Sequence, residues 1–217
     1  SSFVLDELLG GRAGLESNQL DPERVGITGH SFGGWTTLTT TGHDDRVKAA
    51  LPLAPAGGDT PLVAGAPGPN PLAESLSLDW DRDVPTLYLV AELDTLLPLD
   101  GIRGIYQRTR GATHMVVLQN ADHMHFCDEV EQIHEIFRAM GGMMQGGLEG
   151  GPDFGAILAQ IKPAAELCPG EHAYALLQGL GLAHMDSHLR GEAAARSLLS
   201  GDLQGVMAER GVAVKVE

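Results

Sequence analysis

The stretch VGITGHSFGGWTTL, Val25 to Leu38, constrains this chain more than any other. Its first residues, Val25 to Thr28, follow the turn signal Leu20-Asp21-Pro22-Glu23 and predict a short buried strand entered from a loop. That strand runs directly into Gly29-His30-Ser31-Phe32-Gly33, after which Phe32, Trp35 and Leu38 recur at a spacing compatible with a helix. With 29 glycines and nine serines, a Gly-x-Ser-x-Gly arises by chance roughly 0.16 times in such a chain, so context decides its meaning. A serine caught between a strand end and a helix start is held in a strained backbone conformation with its hydroxyl exposed. Gly29 and Gly33 are expected to keep the adjoining backbones clear of side chains. The Phe32 amide, at the helix N-terminus, is the expected donor to a developing oxyanion. The plain alternative is a glycine-rich turn with an incidental serine.

A nucleophilic serine needs a base, and the base needs an orienting acid. For a serine on such an elbow the chain order is Ser, then Asp or Glu, then His. Thr86 to Ala91 reads as a buried strand, and Asp94 lies just past its carboxyl end. Thr113 to Leu118 reads as another, followed by a polar turn and His123. Both residues therefore fall beyond the carboxyl ends of successive strands, where an open parallel sheet places its site. The gaps, 63 residues from Ser31 to Asp94 and 29 from Asp94 to His123, each admit a strand–helix crossover.

Glu92 is a rival acid, but two residues earlier it belongs to the strand end. Asp122 adjoins His123, which makes a productive carboxylate–imidazole geometry awkward. His125 competes for the base and is expected instead to make a polar contact at the start of the next helix. His30, His43, His114 and His134 have no partner pattern, so surface or capping roles are the default. No His, Cys or Asp spacing matches a metal site, "HMH" alone being weak, and no cofactor is called for.

These segments together resemble a family. FVLDELL, LDPERVGITGHSFGGWTTL, DDRVKAALPLAPAGG, VPTLYLVAELDTLLP and ADHMHFCDEVE are similar to the α/β-hydrolase group that includes platelet-activating-factor acetylhydrolases and dienelactone hydrolases. The Gly29 to Gly34 elbow, and His123 followed three residues later by Phe126, carry the closest likeness. The resemblance covers roughly residues 1 to 140. It implies an α/β-hydrolase fold, a mostly parallel sheet flanked by helices, and hydrolysis of a small-molecule carboxylic ester through an acyl-enzyme. Dienelactone hydrolases proper use a cysteine nucleophile where Ser31 stands here, so the resemblance does not extend to a dienelactone substrate. A binding module on the same fold, or a peptidase or thioesterase using the same three residues, are the competing readings.

Such a fold carries several strand–helix units before its nucleophile, about 30 residues each. Only a helix-like Phe3 to Leu9 and a glycine turn precede the elbow strand here. The expectation is a chain lacking the first strands and the loop that supplies a second oxyanion donor, completed by an N-terminal segment or fragment of the same protein. Net charge is −15, which argues against nucleic-acid or anionic-membrane partners. No apolar run reaches the ~18 residues of a membrane span.

The domain reading follows. Residues 1–140 form the core, with 57–83, rich in Gly and Pro, as an insertion that walls the acyl pocket or a plain connecting loop. Residues 141–170 read as a flexible connection, and 171–217 as terminal helices packing on the core, with shorter helices over Ala193–Leu199 and Leu203–Ala208. A Cys127–Cys168 disulfide would close a 41-residue loop, add roughly 4 kcal/mol and imply a secreted or periplasmic setting. Two free thiols are the equal alternative.

Overall fold

The computed structural model describes residues 1–12, 14, 19–63, 68–143 and 152–217. Among them a five-stranded sheet runs in the order β1 Val25–His30, β2 Val47–Leu53, β3 Thr86–Ala91, β4 Ala112–Leu118 and β5 Val214–Val216. The first four strands are parallel, and β5 returns antiparallel along β4. Helix α1 spans Ser2–Leu9, α2 Phe32–His43 joins β1 to β2, and α3 Pro71–Glu74 lies between β2 and β3. Helix α4 Leu99–Tyr106 joins β3 to β4. After β4 come α5 Val130–Met143, α6 Phe154–Leu158, α7 Gly170–Leu176, α8 Leu182–Met185, α9 Ala193–Leu199 and α10 Leu203–Glu209.

β3 explains the layering. All six of its residues are buried, as a strand covered on both faces requires, so it reads as an unbroken apolar run. Tyr88 and Val90 point into one core, with Leu38 of α2 and Ile102 and Ile105 of α4. Leu87, Leu89 and Ala91 point into the other, with Leu176, Leu180, Leu203 and Met207 from the C-terminal helices. The period of two in the strand thus divides helices between the faces of the sheet. β1 pairs only with β2 among the described residues, and its alternating half-buried pattern is that of an edge. Val4 and Leu5 of α1 line an apolar groove with Val25, Ile27 and Val47.

One expectation needs amendment, and two features add to the sequence reading. Within 141–170, read as a flexible connection, α6 forms and Ile157, Leu158 and Ile161 bury in the first core; residues 144–151 lie outside the described residues. Composition there, rich in glycine, concealed the apolar Ile-Leu-x-x-Ile spacing that holds the segment down. β5 went unread, although Val212-Ala-Val-Lys-Val216 alternates as a half-buried strand does. In the connection 57–83, Leu76, Leu78 and Trp80 are core residues, while 64–67 lie outside the described residues. No helix among the described residues is long and apolar enough to cross a membrane.

Candidate active site

Ser31 sits between β1 and α2 with φ 60° and ψ −117°, a left-handed backbone that a non-glycine residue adopts only under restraint. The restraint comes from β2: Ser31 N–H donates to the Leu53 carbonyl at 2.9 Å, and Ala56 N–H donates to the Ser31 carbonyl at 3.0 Å. A Cβ on Gly29 would lie 2.5 Å from the Gly33 carbonyl oxygen, so the tight elbow demands glycine there. At Gly33 a Cβ would meet nothing within 4 Å, contrary to the sequence expectation. Gly34 is the second required glycine, because a Cβ there would lie 2.8 Å from Pro55 Cα and push α2 off β2. Phe32 is the first residue of α2, so its amide has no acceptor within the helix and remains available to an anion.

Asp94 follows β3 and His123 opens a 3-10 turn, His123–Phe126, after β4. Leu93 N–H donates to the Ala121 carbonyl at 2.8 Å and ties the two loops together. Asp94 Oδ1 accepts from the amides of Leu96 and Leu97, at 3.0 and 2.7 Å, which fixes its carboxylate. Its Oδ2 faces His123 Nδ1 at 2.6 Å, with both residues 5% exposed. The structure brings Asp94 and His123 together; Ser31 Oγ makes no hydrogen bond to His123 among the described residues. Contacts of that kind commonly tighten only with substrate in place. The rival Glu92 accepts instead from the Asn120 amide at 2.8 Å and is exposed. Left-handed residues gather on this rim: Ala54 follows β2 with φ 38° and Asn120 follows β4 with φ 53°.

His30, read from sequence as a surface or capping residue, belongs to the site. Its ring centroid is 4.5 Å from that of His123 and 5.9 Å from that of Phe126. Burial, and then the neighbouring His123, lower its pKa to about 3, so it stays neutral beside the catalytic candidates. Cys127 Sγ lies 3.8 Å from His30 Nδ1. Both cysteines are free thiols, which decides between the two alternatives open in the sequence. His43 is exposed at the end of α2, as its default role required.

His134 is the other misread histidine. It is fully buried, and its Nε2 meets Asp122 Oδ2 at 2.5 Å. Its place in the Val130, Ile133, His134, Phe137 stripe of α5 was the available signal. His125, also buried, joins the same carboxylate rather than the elbow. Its Nδ1 lies 3.0 Å from Asp122 N–H, a contact for a neutral ring, and 3.2 Å from Asp122 Oδ1, a contact for a protonated one. In either form Nε2 donates to the Cys168 carbonyl at 2.9 Å; the carboxylate of Asp122, a residue 2% exposed, favours the protonated ring, which gives up the amide contact. Burial lowers the His125 pKa, but these acceptors outweigh it and push the value up to about 10. Burial likewise raises the Asp122 pKa, and the two imidazoles bring it below the ordinary carboxylate range.

A raised histidine pKa stabilises the fold fully below the unfolded value of 6.5 and loses that contribution as pH climbs to about 10. Calorimetry from pH 6 to 10 should therefore show the melting temperature of the wild type falling more steeply than that of His125→Gln. Parallel curves would contradict the charge assignment.

Phe32 is 56% exposed and stacks on Trp35, with centroids 4.8 Å apart and planes at 27°. Trp35 Nε1–H donates to the Leu72 carbonyl at 3.0 Å, so the residue 57–83 connection anchors this aromatic shelf beside Ser31. A separate cavity of about 430 Å³ borders Asp94 and Asp122, but neither Ser31 nor His123 lines it. Among the described residues no group of three or more His, Cys, Asp or Glu is arranged to hold a metal ion.

A strained serine on a strand–helix elbow, with an aspartate and a histidine beyond later strands of a mostly parallel sheet, defines the α/β-hydrolase class. Within that class residues 3–140 match the dienelactone hydrolase family, and the chain belongs to it. Cutinase est1 of Thermobifida alba is 28% identical over 129 residues, covering 58% of this chain and 38% of that protein. Cutinase cut1 of Thermobifida fusca is 28% identical over 124 residues, covering 51% and 33%. A solved ferulic acid esterase from Streptomyces cinnamoneus aligns with a TM-score of 0.57 at 25% identity, over 93% of this chain and 49% of that one. The chain spans well under half the length of the curated relatives it matches.

Proposed function

We propose that the protein is a serine hydrolase of carboxylic esters that works through an acyl-enzyme. Ser31 attacks the ester carbonyl, His123 takes its proton, and Asp94 holds the imidazole in the required tautomer. The Phe32 amide donates to the oxyanion, and His123 then activates the water that releases the acid. The observation that carries this reading is the buried 2.6 Å contact of Asp94 with His123, in a loop cluster shared with the strained Ser31 elbow. The names of the relatives, cutinase and ferulic acid esterase, support an ester substrate. The Phe32–Trp35 shelf supports an apolar or planar group next to the scissile bond.

A panel of p-nitrophenyl esters of rising acyl length, run beside a peptide amide and a thioester, tests the class of substrate. Preference for the amide would overturn the esterase reading, and no turnover of any member would favour a binding module on this fold.

The partner reading rests on β1. Its edge, unpaired among the described residues, and the apolar groove beside α1 suit a further strand, which we propose is supplied by an N-terminal segment of the same protein that also carries the second oxyanion donor. Losing one such donor costs about 10²–10³ in turnover. The 217-residue chain made alone should accordingly be insoluble or nearly inactive. Intact mass of active material decides this; full esterase activity in a single 22.9 kDa species would sink the proposal.

A further inference from the structure

His123 stands at the start of a four-residue 3-10 turn, and one turn of helix has little stability of its own. Its backbone bonds are few: His125 N–H to the Asp122 carbonyl at 3.1 Å and Cys127 N–H to the Met124 carbonyl at 3.0 Å. Besides Asp94 on the His123 ring and the Tyr174 hydroxyl on the Cys127 carbonyl, one further carboxylate grips the turn. Asp122 Oδ1 accepts from the Met124 amide at 3.1 Å and lies 3.2 Å from His125 Nδ1, which also faces the Asp122 amide at 3.0 Å, while Oδ2 accepts from His134 Nε2 at 2.5 Å. His125 Nε2 reaches on to the Cys168 carbonyl, and the Cys168 amide donates to the Asn120 carbonyl at 2.8 Å. Helix α5, the segment before α7 and the loop after β4 thereby converge on a group beside His123.

We propose that Asp122, gripped by His125 and His134, is a positioning residue that fixes the turn bearing His123 and so aligns the imidazole between Asp94 and Ser31. The proposal rests on His123 being the base. Two aspartates then divide the work: Asp94 orients the ring, and Asp122 orients the backbone that carries it. A cap on a short turn needs only an exposed Asp, Asn, Ser or Thr. Here Asp122, His125 and His134 are all at most 2% exposed, an arrangement that costs free energy and does nothing for the apolar core. His134 Nδ1 is buried without a hydrogen-bond partner among the described residues, so the contact with Asp122 is the ring's only polar engagement. Displacing a catalytic group by about 1 Å costs on the order of 10²-fold, so a loosened turn reads out in the rate.

The test compares His134→Leu, which removes the donor, with His134→Gln, whose side-chain amide restores one, in the full-length protein on a short-chain p-nitrophenyl ester. Rates are expressed per folded molecule, from near-ultraviolet circular dichroism at the assay temperature. The expected result is a 10- to 100-fold fall in kcat for H134L with KM within about twofold, and recovery to within about threefold of wild type for H134Q. Unchanged kcat in folded H134L, with only a lower Tm, would overturn the proposal, as would a loss carried by KM alone. Should H134L not fold, Asp122→Asn, which keeps an acceptor for the Met124 amide, must lower kcat at least tenfold, and wild-type kcat in it overturns the proposal. His123→Ala with wild-type activity would refute the assignment of the base instead, so the two failures are distinct.

Discussion

Ser31→Ala is expected to lower kcat by about 10⁵–10⁶-fold while leaving substrate affinity and the fold in place, because the covalent route is lost and only binding and oxyanion stabilisation remain. Steady-state assay of the active protein, with mass spectrometry for the acyl-enzyme, checks both parts. The backbone at this position makes a second substitution informative. Ser31 holds φ 60° and ψ −117°, where any side chain with a Cβ is strained. Ser31→Gly should be equally inactive yet more stable than wild type by about 1 kcal/mol, since glycine occupies this region without penalty. A less stable glycine variant would show that the elbow is not strained.

Asp94→Asn should lower kcat by about 10⁴-fold with little change in KM. The amide can still accept from the Leu96 and Leu97 amides, so the loop is kept while the tautomer of His123 is lost. Its effect should far exceed that of Glu92→Gln, whose wild-type carboxylate only ties down the Asn120 amide. Comparable losses in the two variants would move the acid to Glu92.

The contrast between what was legible and what was not follows from the range of each interaction. The strand-end positions of Ser31, Asp94 and His123 were legible because each lies just beyond a strand whose apolar run is local in sequence. Helices α2, α9 and α10 were legible for the same reason. His30 was missed because what buries it, the rings of His123 and Phe126, comes from more than ninety residues downstream. His134 was not legible because its partner, Asp122, lies in the loop after β4 and not on the helix that carries the ring. The Asp122–His125 contact was half legible: His125 makes the polar contact expected near the following helix, and its partner is the aspartate that adjoins His123.

Ser31, Ala54 and Asn120 set left-handed backbone along a single rim, beyond the carboxyl ends of the strands. For lineages diverging from such a chain, this divides the molecule into two regimes of tolerated change. Replacements at Leu87, Leu89 or Val116 are judged by fit alone, since these side chains do nothing but fill space between sheet and helices. Replacements in the rim loops are judged by turnover, because loops there can change length and residue type without disturbing a strand. At Ser31 both judgements fall on one residue. Selection for robustness alone, with no demand for catalysis, therefore drives that position toward glycine and erases the proposed nucleophile first.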